Sequence, residues 1–329
     1  MSEAHPAGGP VTGLPVPVPA EAVWPYTGDT DKYVRAAKAA NTVRAYRSDW
    51  RAFESFCRGR DLAALPASPA TVVAYAADRA SHLKANTIER HLAAISQAHQ
   101  LASVPNPVED KLVRTVMAGI RRAKGTAQKG KEPLSAELLR KMLSQMPDDL
   151  QAARDRALVL VGFAGAFRRS ELVALRYEDI RFSEEGLVVT IPRSKTDPEG
   201  EGHTIGIPYG SHPESCPVRA LENWLARSSI TYGCLFTRIG RWGGEVTGQP
   251  ISDHQLAKII KRLAHAAGLD ADAFSGHSLR SGLATAAAEG GATERAIMDQ
   301  TRHRSLKQVR KYIRRGSLFR ENAAAKSGL

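Results

Sequence analysis

The chain has few cysteines: Cys57, Cys216 and Cys234 are the three in 329 residues, and they stand far apart. That excludes a disulfide framework and any CxxC zinc site, and it fits a reducing compartment. Long apolar runs are also missing. The longest, Ala157–Phe167, is 11 residues, well short of the ~20 that span a bilayer. No basic start followed by an apolar stretch marks a secretory leader, so a cytoplasmic location is expected. Aromatic residues make up only 6%.

Hydrophobic residues reach 43%, which excludes wholesale disorder. At about 150 residues per domain the length implies roughly two domains. The formal net charge is +12, of which residues 1–124 carry +5 and residues 125–329 carry +7. Both halves are basic, so this is not a neutral domain with a basic tail. Two basic domains can close on a nucleic acid from both sides, with phosphate neutralisation supplying affinity.

Residues 1–29 are rich in proline (Pro6, Pro10, Pro15, Pro17, Pro19, Pro25) and are expected to form a disordered tail. From residue 30 to 124 the pattern is helical. Val43, Tyr46, Trp50, Phe53 and Phe56 recur at helical spacing behind Asn41 or Thr42 as N-cap. Ser68-Pro69, Asn86-Thr87 and Asn106-Pro107 open three further helices. Residues 125–132 have linker composition. Residues 133–329 read as a second, mostly helical domain. Within it Ser135 caps a helix, Arg154–Phe167 is a buried helix, and Leu187–Ile191 pairs with Thr204–Ile207 as a hairpin. Helices follow near Val218–Arg227, Asp253–Ala267, Leu279–Glu289 and Ala292–Gln300.

Four segments of this second domain stand out. Phe167-Arg168-Arg169-Ser170-Glu171 places two arginines at the start of a helix. Arg193-Ser194-Lys195 puts a lysine between the two strands. His277-Ser278-Leu279-Arg280 reads H-x-x-R. His303 precedes Tyr312 by nine residues. Taken singly, each has an ordinary explanation: a solvated arginine, a solubilising turn lysine, a chance H-x-x-R, a packing tyrosine. Together they supply what cutting DNA without a metal requires. Phosphoryl transfer needs positive charge on the non-bridging oxygens, an in-line nucleophile and a proton for the leaving oxygen. Arginine forks clamp phosphate. A tyrosine hydroxyl can attack phosphorus. Lysine and histidine can move the protons. No carboxylate cluster suits a two-metal site, and the other histidines show no metal-ligand grouping.

The order Arg, Lys, His-x-x-Arg, His, Tyr resembles the tyrosine recombinase (phage integrase) family over roughly residues 30–325. Thr42–Cys57 resembles its core-binding domain. The tail Met298–Arg315, with Tyr-Ile-Arg, is similar to the Cre-type site-specific recombinases. By position, Arg168 resembles the first catalytic arginine, with Glu171 as its supporting acid in Arg-x-x-Glu. Lys195 resembles the hairpin general acid, and His277 and Arg280 the second box. His303 resembles the histidine or tryptophan that hydrogen-bonds the phosphate, and Tyr312 the nucleophile. Two departures stand. Phe167 and Arg169 replace a leucine and a hydrophobic residue around the first arginine, which makes Arg169 a rival for the phosphate. Thr301-Arg302 replaces the usual Leu-Gly before the histidine.

The resemblance implies a mainly α fold: an N-terminal helical bundle (core-binding, SAM-like) plus an α+β catalytic domain with a small antiparallel sheet. It implies a bacterial or phage-encoded enzyme that cuts and rejoins double-stranded DNA through a 3′-phosphotyrosine, with no metal, cofactor or ATP. It also implies a homo-tetramer on two DNA sites, assisted in some systems by DNA-bending accessory proteins. On this reading Leu318-Phe319 and Ala323–Ala325 would form a C-terminal helix docking either on a neighbouring protomer or in cis. Two rivals differ in class: a type IB topoisomerase, which relaxes DNA as a monomer, and a catalytically silent DNA-binding protein.

Overall fold

The computed structural model describes residues 40–126, 130–192, 197, 200–241, 243–316 and 327. The chain divides into two compact units between Lys129 and Gly130. The proline-rich tail lies outside the described residues, as do Lys195 and the segment containing Leu318, Phe319 and Ala323–Ala325.

The first unit holds α1 (Ala40–Arg58), α2 (Pro69–Ala80), α3 (Ala85–Leu101) and α4 (Lys111–Lys124). Its core is aromatic and aliphatic: Trp50, Phe53 and Phe56 of α1 meet Tyr75 of α2, Ile88 and Ile95 of α3, and Met117 of α4. Helix α1 already includes Ala40, so neither Asn41 nor Thr42 caps it. Ser68 does cap α2, its Oγ accepting from the Thr71 amide at 3.1 Å with Pro69 at the first helical position. The third helix starts one residue before Asn86, after Lys84. The fourth expected helix is split. Asn106 caps only the short 3₁₀ turn Pro107–Glu109; Asp110 then accepts from the Leu112 amide at 2.7 Å and starts α4 afresh. The buried histidines of this unit belong to its core. His91 Nδ1 meets the Tyr75 hydroxyl at 2.7 Å, and His99 Nε2 accepts from the Ala67 amide at 2.9 Å.

The second unit contains α5 (Ala136–Ser144), α6 (Leu150–Ala164), α7 (Arg169–Ala174), β1 (Ile180–Ser183), β2 (Gly186–Ile191), β3 (His203–Pro208) and α8 (Pro217–Ser228). After α8 come β4 (Thr237–Ile239), β5 (Val246–Pro250), α9 (Asp253–Ala266), α10 (Gly276–Glu289), α11 (Glu294–Thr301) and α12 (Leu306–Gly316). Strands β1, β2 and β3 form one antiparallel sheet in that order, with Val189 opposite Ile205 and Leu187 opposite Ile207. These apolar positions alternate along β2 and β3 and turn into the core, where Leu158, Val161, Phe167, Leu172, Trp224, Leu256 and Leu279 converge. The fold is therefore mainly helical with a small antiparallel sheet, as the sequence pattern implies. Strands β1, β4 and β5 and helix α12 are the elements that pattern does not reveal; β4 and β5 pair as a separate two-stranded sheet. Among the described residues no helix is long and apolar enough to cross a membrane.

The chain enters this unit along α10. The Glu132 amide donates to Ala273 O at 2.9 Å, and the Leu134 amide donates to Ser278 O at 3.0 Å. The approach is so close that a Cβ on Gly282 would sit 2.1 Å from Leu134 O. Gly282→Ala is accordingly expected to lower the melting temperature of the intact chain by about 5 °C, the scale of one overpacked site in a unit of this size. An unchanged melting curve would show that the entering segment yields without cost.

Candidate active site

The H-x-x-R spacing places His277 and Arg280 on one face of the first turn of α10. Ser275 starts that helix, its Oγ accepting from the His277 amide at 3.3 Å. Arg280 is 3% exposed. Its Nη1 donates to Ala166 O at 2.7 Å, while its Nη2 is buried without a partner in the protein.

Helix α6 ends at Ala164, and a tight turn through Gly165 and Ala166 (φ 46°) presents Arg168 as the N-cap residue of α7. The Glu171 carboxylate folds back onto this start, accepting from the Arg168 amide at 2.9 Å and from its guanidinium. Arg168 Nη2 also reaches Arg302 O at 3.3 Å. Arg169 points elsewhere. Its stem crosses Gly276, where a Cβ would lie 2.3 Å from Arg169 Cγ, and its Nη2 is 3.7 Å from the Asp253 carboxylate. The structure thus brings Arg168, and not its rival, beside Glu171 and Arg280.

Tyr312 lies nine residues beyond His303, on α12. Helix α12 packs on α10 through Val309, Tyr312 and Ile313 against Ala284, Ala287 and Ala288. That packing brings the Tyr312 hydroxyl to 2.9 Å from His277 Nε2. The His303 ring stands 5.9 Å from the Tyr312 ring, centroid to centroid. Of the expected site residues, Arg168, Glu171, His277, Arg280, His303 and Tyr312 converge. Lys195 lies outside the described residues. The loop that follows it is turned by Asp197, whose carboxylate accepts from the amides of Gly200, Glu201 and Gly202 at 3.1, 3.1 and 2.8 Å.

The charges do not balance. Arg168, Arg280 and Arg302 surround one carboxylate, Glu171. Burial alone would raise the Glu171 pKa, but the Arg168 amide and guanidinium and the Arg302 charge outweigh it and hold the carboxyl below its ordinary range. Burial, then repulsion from Arg168 and Arg302, pushes Arg280 down to about 9. His277 is lowered by the protein crowding it, then by Arg280 and Arg169, even though the residue as a whole is exposed. A buried excess of guanidinium charge with one unpartnered Nη2 is a seat for an anion.

The family model for phage integrases matches residues 132–317, and the model for their N-terminal SAM-like domain matches residues 31–103. This chain belongs to the phage integrase family. It is 44% identical over 292 residues to an integrase/recombinase xerD homolog of Selenomonas ruminantium, covering 87% of this chain and 85% of that one. It is 26% identical over 300 residues to recombinase cre of Escherichia phage P1, covering 85% of each. Its fold matches the crystal structure of the XerH site-specific recombinase bound to a palindromic difH substrate, with a TM-score of 0.66 at 17% identity over 91% of this chain and 85% of that one.

Against the phage integrase pattern, the departure at Thr301-Arg302 proves structural. Arg302 takes the left-handed conformation (φ 53°, ψ 46°) that favours glycine, so the turn before His303 keeps its shape. Its side chain is 2% exposed and knits the site together. Nη1 donates to Gly165 O and Gln300 O, both at 3.0 Å. Nη2 donates to Ala166 O at 3.1 Å and to Glu171 Oε2 at 3.0 Å. The guanidinium also lies over the Phe167 ring at 5.2 Å. The motif does not reveal this residue. The one signal for it in the sequence is an arginine standing where the family has glycine.

Proposed function

We propose that this protein is a site-specific DNA recombinase that cuts and rejoins strands through a covalent 3′-phosphotyrosine on Tyr312. The observation that supports this most directly is the Tyr312 hydroxyl, bonded to His277 at 2.9 Å beside Arg168 and Arg302, which share the Glu171 carboxylate, and beside Arg280, whose Nη2 has no partner.

The scissile phosphate seats against Arg168 and the unpartnered Nη2 of Arg280. His277, neutral at physiological pH because its pKa is lowered, accepts the Tyr312 proton as the phenolic oxygen attacks phosphorus. The P–O5′ bond breaks, and Lys195 gives the leaving oxygen its proton. A 5′-hydroxyl from another strand reverses the steps and frees the tyrosine. The phosphotyrosine bond conserves the phosphodiester energy, so no ATP enters. Two double-stranded sites present four strands to be cut, and each chain holds one nucleophile. Complete exchange therefore uses four protomers, with DNA-bending accessory proteins where the sites require them. Residues 30–124 form the core-binding half of the DNA clamp and residues 133–329 the catalytic half, joined by the linker 125–132.

Host genomic DNA is incubated with the protein and denatured rapidly in detergent, and the DNA left covalently attached is sequenced. The recovered site is then placed once or twice on a plasmid. Exchange between two sites is expected, together with binding that weakens by orders of magnitude between about 50 and 200 mM salt. Supercoil relaxation without exchange would make the enzyme a topoisomerase. Tight binding with no attached DNA would make it a silent DNA-binding protein.

A further inference from the structure

Thr301 is fully buried at the end of α11, and its hydroxyl touches two groups. Oγ1 lies 2.5 Å from Ile297 O and 2.7 Å from His303 Nδ1. A hydroxyl has one proton, and a carbonyl oxygen only accepts. The Thr301 proton therefore goes to Ile297. The contact with His303 is then a hydrogen bond only if the ring donates and the hydroxyl accepts. The left-handed turn at Arg302 makes this possible by folding His303 back over the helix end, where its amide donates to Met298 O at 3.3 Å. A neutral imidazole carries one N–H. With that proton on Nδ1, Nε2 is bare.

We propose that Thr301 is a positioning residue that locks His303 as the Nδ1–H tautomer, so that seating the DNA phosphate draws a proton from solvent onto Nε2. A bare Nε2 and a phosphate oxygen are both acceptors and repel. One proton taken from solvent turns the ring into imidazolium, whose Nε2–H donates to a non-bridging oxygen. The groups facing His303 set the direction of the coupling. They are His277 and Arg280 on α10, Arg168 before α7, Arg302 at the end of α11, and Tyr312 on α12. Burial, then Arg280, Arg168, His277 and Arg302, hold His303 down to about 4 in the free protein. The phosphate charge opposes those arginines and raises that value. Uptake therefore appears between about pH 4 and the raised value, and it vanishes on either side: below, the ring is already protonated in the free protein, and above, it stays neutral in the complex.

The proton-uptake half of this inference rests on reading His303 as the phosphate-facing histidine; the tautomer half does not. The full-length protein is labelled with ¹⁵N in its histidine rings, and the His303 signals are assigned by their loss in His303→Asn. In the free protein at pH 7 an Nδ1–H pattern is expected. Thr301→Val, which removes the hydroxyl and keeps the shape, is expected to release the ring towards Nε2–H, and Thr301→Ser to restore it. Calorimetry of binding to the captured DNA site, in buffers of different protonation heat, is expected to show uptake of about one proton per wild-type chain. Uptake should fall towards zero in Thr301→Val, where Nε2 already carries a proton. An Nε2–H pattern in the wild type, or a pattern unchanged by Thr301→Val, overturns the role of Thr301. An Nδ1–H pattern without proton uptake overturns the coupling to phosphate and, with it, the placement of His303 on the phosphate.

Discussion

Tyr312→Phe is expected to abolish the covalent protein–DNA adduct while leaving DNA affinity within about a factor of three of wild type. The substitution removes one oxygen. The ring keeps its contacts with the cluster around Ala284, Ile297 and Val309, so α12 stays on α10. The bond to His277 is lost, but that residue is exposed, so water can replace the hydroxyl. A net loss of about 1 kcal/mol for one hydrogen bond does not unfold the unit. DNA affinity comes from many phosphate contacts, none of which needs this hydroxyl. The chemistry has no substitute, because the attacking atom itself is gone. Denaturing electrophoresis of labelled DNA checks the adduct, and a gel shift checks affinity. A surviving adduct would place the nucleophile on another residue.

The parts of this enzyme that were legible in its sequence are those encoded locally. Ser68-Pro69 and Ser135 announce helix starts because a side-chain oxygen and the amides it satisfies lie within three residues. The β2–β3 pairing shows in alternating apolar residues on either side of one turn. His277 and Arg280 share a face because three residues make nearly one helical turn. Arg168 and Glu171 are legible for the same reason. What was hidden depends on distance along the chain. Arg302 meets Glu171 across a separation of 131 residues, and no local pattern predicts that an arginine will enter the core there. The hydrogen bonding of Thr301 was hidden too, because it needs the left-handed turn that Arg302 makes. Helix α12 leaves little apolar pattern because its polar side chains outnumber the apolar ones that seat it. Asp110 lies inside the stretch that Asn106-Pro107 opens, and its role as the cap that starts α4 depends on the break after the 3₁₀ turn.

Replacing Arg280 with methionine is expected to cut DNA cleavage by about a hundredfold or more and yet not destabilise the free protein. The first half follows from the geometry. Nη2 of Arg280 is buried without a partner, and losing one preorganised donor to a developing phosphate charge costs about 100–1,000-fold in rate. Lysine is not expected to rescue it, because one ammonium cannot both hold Ala166 O and reach the phosphate as a fork does. The second half follows from the charge balance. Burial and the neighbouring Arg168 and Arg302 push Arg280 down to about 9, so the folded state resists its charge at neutral pH. A base whose folded pKa lies below its unfolded value subtracts stability at every pH where it is charged, and that loss fades only as pH rises through the folded value. Methionine removes this cost and has nearly the same reach. It orphans no acceptor, because Ala166 O still accepts from Arg302 Nη2 at 3.1 Å. The melting temperature of Arg280→Met in the absence of DNA is therefore expected to equal or exceed that of the wild type, by up to about 4 °C for each kcal/mol relieved. DNA should then raise the melting temperature of the wild type more than that of the variant, since the variant lacks the Arg280 Nη2 that a phosphate would satisfy. A variant that melts well below the wild type would show that Arg280 holds the fold together, and its loss of cleavage could no longer be assigned to the phosphate.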